Sequence, residues 1–153
     1  MVAGGSLYWI GTDEIVHACV LDYACAAEDV RDLASGQTGG RALAADSDNV
    51  YWATSDLNGG EIRAAKQSAL VDAGAETGAP MTLATGQDGP IALAVEGPDL
   101  YWLTKDALVR GRTTRASPTV LVTGLSSPKG LVVLGPSVYV TEADNGRVLK
   151  IAK

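Results

Sequence analysis

The side chains able to do chemistry are few, and their spacing limits what they can do. The 153-residue chain has one histidine, His17, and two cysteines, Cys19 and Cys25. An acidic residue recurs at Asp13, Asp56, Asp106 and Asp144. There is no Gly-x-Ser-x-Gly elbow and no histidine-rich cluster, which removes the commoner serine-hydrolase and metalloenzyme designs. The two cysteines stand where a hairpin would bring them to a separation that suits a disulfide. Free thiols are one alternative. The other is a metal site shared with His17, which falls short of the four ligands zinc requires. A disulfide would imply an oxidising compartment, such as the periplasm or the cell surface. The four aspartates are of the type that binds calcium through oxygen ligands. Aspartate also caps tight turns through side-chain hydrogen bonds to nearby backbone N–H groups, and that is the simpler account. No residue is assigned a catalytic or cofactor-binding role, and calcium is the one cofactor the side chains suggest.

The elements that would position these residues are repetitive. Leu7-Tyr8-Trp9 returns as Val50-Tyr51-Trp52, then as Leu100-Tyr101-Trp102, and fades to Val138-Tyr139-Val140. The tyrosines lie 43, 50 and 38 residues apart, an interval that marks copies of one supersecondary unit. Before the later copies come the apolar runs Ala42–Ala45, Ile91–Val95 and Gly130–Leu134. After each copy comes a second run: Ile15–Ala18, Ile62–Ala65, Leu108–Arg110 and Val148–Ile151. A third follows at Leu33–Gln37, Leu83–Gln87 and Leu121–Gly124. Turn clusters such as Gly39-Gly40, Asn58-Gly59-Gly60 and Asp144-Asn145-Gly146 separate the runs. Short runs between regular turns predict an all-β chain of antiparallel meanders with little helix. Approximate repeats are 1–40, 41–89, 90–128 and 129–153, within one domain spanning 1–153.

A four-stranded meander at this period matches one blade of a β-propeller. The aromatic triplet followed by an acidic turn resembles the YWTD and NHL propeller repeats, and Val138–Val148 is especially similar to an NHL repeat. The copy carrying Cys19 and Cys25 resembles secreted bacterial propeller proteins of unknown function. The resemblance implies that Ala42–Ala45, Ile91–Val95 and Gly130–Leu134 are innermost strands, where small residues suit a crowded axis. It also implies that the Tyr-Trp strands come second in each blade. Strand alternation then places Trp9, Trp52 and Trp102 between blades as packing residues, with carbohydrate stacking as the alternative. Propellers include calcium-dependent lactonases and histidine-bearing lyases. The lyase pattern fails here for want of a second histidine.

A net charge of −6 argues against nucleic acid and against an anionic membrane surface. No apolar run approaches the ~20 residues of a membrane span. Met1–Ser6 is too short and lacks the basic start of a signal peptide, so export would rest on a signal outside this chain. The Lys66–Pro80 insertion carries no motif and is expected to be an exposed blade-edge loop, with recognition as the alternative.

The runs total fourteen strands, about four blades, with a ragged edge at each end. Propeller rings of this kind usually need six to eight blades. The chain is therefore expected to pair with a second copy as two half-rings. The alternatives are a segment of a longer propeller, completed by another subunit or shortened by truncation, and a compact four-bladed ring. For function the sequence favours a non-enzymatic binding or scaffold propeller contacting protein or glycan. The alternatives are a metal-dependent lactonase- or lyase-like enzyme with an axial site, and a purely structural assembly module.

Overall fold

A computed structural model describes residues 1–21, 25–56, 59–70, 79–115 and 117–153, with backbone only at Asp56, Ala69 and Leu70. The chain folds into four consecutive antiparallel sheets, a partial β-propeller that does not close into a barrel. Blade 1 is β1 (Val2–Ala3), β2 (Ser6–Ile10), β3 (Val16–Val20) and β4 (Arg31–Ala34). Blade 2 is β5 (Ala42–Ala45), β6 (Asn49–Asp56), β7 (Gly59–Lys66) and β8 (Met81–Gln87). Blade 3 is β9 (Ala92–Glu96), β10 (Asp99–Leu103), β11 (Leu108–Arg112) and β12 (Thr119–Val122). Blade 4 has three strands, β13 (Pro128–Leu134), β14 (Ser137–Glu142) and β15 (Arg147–Ala152). Helix among the described residues is confined to 3-10 turns at Ala27–Asp29 and Gln67–Leu70. Hence none is long and apolar enough to cross a membrane.

Each sheet is a simple up-and-down meander, and the first strands β5, β9 and β13 lie against one another at the axis. The small side chains of β5 and β9 allow that approach. Among the described residues fifteen strands are present rather than fourteen. The added one is β1, pinned because Met1 and Tyr8 exchange backbone hydrogen bonds of 2.8 Å. The middle of the Lys66–Pro80 insertion, 71–78, lies outside the described residues.

Alternation along each second strand gives the blade two unlike faces. Tyr8, Val16 and Ala18 of blade 1 pack against Val50 and Trp52 of blade 2. Tyr51, Ile62 and Ala64 of blade 2 pack against Leu100, Trp102 and Val109 of blade 3. Tyr101, Leu103 and Leu108 of blade 3 pack against Val138 and Val140 of blade 4. The tyrosine face of each blade therefore meets the tryptophan face of the next. A polar latch reinforces the last interface. Buried Glu142 accepts hydrogen bonds from the Ser126 N–H (2.6 Å) and from Asn145 and Arg147. Arg147, then Ser126, hold its carboxyl below the usual carboxylate range.

Candidate functional site

The chemistry-bearing residues gather on the tryptophan face of blade 1, and that face is open. Trp52 and Trp102 are 0% and 1% exposed. Trp9, the same position in blade 1, is only partly buried. The expectation that all three tryptophans pack between blades is thus corrected for Trp9, which has no blade against it among the described residues. His17 is its cross-strand partner, and the two rings stack with centroids 5.2 Å apart.

Two carboxylates hold the imidazole. His17 Nδ1 lies 2.9 Å from Asp32 Oδ1 on β4, and Nε2 lies 3.1 Å from Asp13 Oδ2 in the β2–β3 turn. Asp13 Oδ1 also accepts the Ile15 N–H at 3.3 Å, an Asx-type turn. Gly11 leaves room for this arrangement, since a Cβ there would fall 2.1 Å from Asp13 Oδ1. The result is an aromatic surface edged by two carboxylates that already share one imidazole.

The other recurrent acids are dispersed. Asp144 accepts a 2.6 Å hydrogen bond from Ser127 Oγ. Asp106 uses its backbone carbonyl to accept the Leu125 N–H. Asp56 ends β6 opposite Gly59, and its side chain lies outside the described residues. No three His, Cys, Asp or Glu side chains converge on a metal-sized point among the described residues. Cys19 and Cys25 are bonded to each other, with Cα atoms 6.0 Å apart. The bond joins the end region of β3 to the segment entering β4. His17 is tied to carboxylates and not to sulfur.

The interfaces between blades show what an occupied tryptophan face looks like. Trp52 Nε1 donates to Gln37 Oε1 at 2.8 Å, and Trp102 Nε1 donates to Gln87 Oε1 at 3.0 Å. In both cases the glutamine precedes the tryptophan by 15 residues and follows the fourth strand or ends it. A glycine with positive φ, Gly36 or Gly86, turns the chain just before it. The amide is held by its own strand, because Nε2 donates to the carbonyl of Ser35 or Thr85. Gln37 Oε1 also accepts Arg63 Nη1 at 3.0 Å, and Arg63 is the cross-strand partner of Trp52. At the last interface both partners change together. Leu125 stands where the glutamine was and Val140 where the tryptophan was, and both are buried in one apolar cluster. Trp9 Nε1 makes no hydrogen bond among the described residues.

At the far end, blade 4 leaves its tyrosine face open. Tyr139 is only partly buried, its cross-strand partners are Val132 and Lys150, and Val132 and Val148 are 59% and 64% exposed. A groove of about 560 Å³ beside β8 is lined by Glu61, Thr82 and Arg115 among others. Arg115 is occupied there by the Thr82 carbonyl and Glu61 by Arg63. No family model and no curated protein matches the chain.

Proposed function

We propose that the chain is a non-enzymatic binding or scaffold propeller of YWTD/NHL-like repeats, exported from the cytoplasm, which contacts protein through its two end blades. One observation carries the reading. The Trp9 face repeats the design of two buried interfaces and lacks only the blade that would cover it. An open apolar face of this type is a docking surface. The complementary Tyr139 face lets a second copy serve as a partner in the half-ring arrangement. The Cys19–Cys25 bond supports an oxidising compartment.

Light scattering across the micromolar range tests this reading. The average mass should rise above the 15.7 kDa of one chain, and Trp9→Asp or Val148→Asp should lower it. A monomer at every concentration would remove docking between copies as the function and leave a blade of another chain as the partner. A glycan reading draws on the same face, because Trp9 offers a stacking platform beside the Asp13 and Asp32 carboxylates. Saturable changes in Trp9 fluorescence on titration with oligosaccharides would favour it.

A further inference from the structure

We infer that the partner of the Trp9 face is a propeller blade whose fourth strand ends in Gly-Gln, and that its glutamine carbonyl receives the Trp9 indole N–H. The inference rests on the docking reading above and names the partner's chemistry. Indole N–H is a donor only, and burying it unpaired is unfavourable. Where this chain buries a tryptophan between blades, a Gly-Gln supplies the acceptor. Where the glutamine becomes Leu125, the tryptophan has become Val140. Donor and acceptor are thus present or absent together, and Trp9 is a donor. A second copy fits this surface less well. Its open Tyr139 face belongs to a three-stranded blade with no fourth strand, so it would cover the ring and leave the N–H unpaired.

The register specifies how such a blade must join. Trp52 and Trp102 are paired across the first strand with Leu43 and Leu93, each six residues after its glutamine. In blade 1 the pairing Val2↔Leu7, continued outward, places the partner of Trp9 one residue before Met1. Repeating residues 41–93 ahead of Met1 therefore puts Leu93 opposite Trp9. It also sets Gln87 of the added copy 15 residues before Trp9, the native spacing.

The test compares the unextended chain, this extended chain, and the extended chain with Gln87→Leu in the added copy. Acrylamide quenching of Trp9 is isolated by subtracting the matching Trp9→Phe protein. Trp102 emission, which stays blue-shifted when its interface is intact, reports folding in each. Extension should lower the Trp9 quenching constant severalfold and raise the melting temperature. Gln87→Leu in the copy should reverse both, and a further Trp9→Val should recover the melting temperature, as Leu125 with Val140 would lead one to expect. Equal protection by the Gln and Leu extensions would overturn the glutamine requirement while leaving blade docking intact. Failure of both extensions to protect Trp9 in folded protein would overturn docking itself. Full protection of Trp9 in the self-associated, unextended chain would make a second copy the occupant and overturn the inference.

Discussion

Replacing Trp52 by alanine measures how much one blade interface contributes. The side chain is 0% exposed, and an indole buries roughly 200 Å², so the transfer contribution is at most about 5 kcal/mol at 25 cal/mol per Å². Large-to-small changes of this kind cost about 3–5 kcal/mol, roughly a fifth or more of the 5–15 kcal/mol stability of a typical domain. Among the described residues, truncation also leaves Gln37 Oε1 with Arg63 as its one remaining donor. Trp9→Ala removes the same side chain from a face with no blade against it, and about 1–2 kcal/mol is expected from the smaller area lost. The glutamine can be probed separately. Gln37→Leu strands a buried indole N–H at about 1–3 kcal/mol, and adding Trp52→Val should recover part of that as a coupling energy. Urea denaturation of the parent, these four variants and the Trp52→Val single variant supplies every value. A loss below about 1 kcal/mol for Trp52→Ala, or equal losses at positions 52 and 9, would refute the assignment of Trp52 to the core and Trp9 to an open face.

Three further outcomes are expected. Protein made in an oxidising compartment should show no titratable thiol when denatured without reductant, and Cys19→Ser should lower stability by about 2 kcal/mol on the chain-entropy model for so short a loop. Glu142 has a depressed carboxyl pKa, so its contribution is present above the ordinary glutamate value of about 4.3 and is lost as pH falls through the lower folded value. Glu142→Gln should therefore flatten the acid limb of a plot of melting temperature against pH. A Cβ at Gly111 would lie 2.7 Å from the Trp102 ring, so Gly111→Ala should cost about 1–3 kcal/mol through overpacking, read by thermal melting.

Much of the fold was legible because its signals are local. The Tyr-Trp triplets fall on β2, β6 and β10, and the small apolar runs fall on β5 and β9 at the axis. The first strand of blade 1 was expected to survive at most as Met1-Val2 and was not counted, because so short a stretch shows no alternation; its pairing of Val2 with Leu7 and Ala3 with Ser6 makes it a strand. Trp9 was misread because periodicity assigns a residue to a face without saying whether that face is covered. The aspartates recur at matching places in the repeats, yet among their described side chains only that of Asp13 caps its turn, and the recurrence does not bring them together. Gln37 and Gln87 were read as strand ends, although the sequence held the clue. Each stands 15 residues before a tryptophan, and Leu125 stands 15 before Val140.

That constant interval bears on how the molecule assembles. Each tryptophan–glutamine bond between neighbouring blades closes a loop of only 15 residues, an entropy cost of roughly 2.4 kcal/mol plus a constant. Contacts of such short range favour fast folding, and one formed blade offers its tyrosine face as a template on which the next condenses. Cooperativity is then a nearest-neighbour property, as in linear repeat arrays. The interior interface between blades 2 and 3 should hold the slowest-exchanging amides, and opening should begin at the outer blades. A partner blade on Trp9 would turn one fraying end into an interior position, so that occupancy of a single face is felt as rigidity along the whole stack.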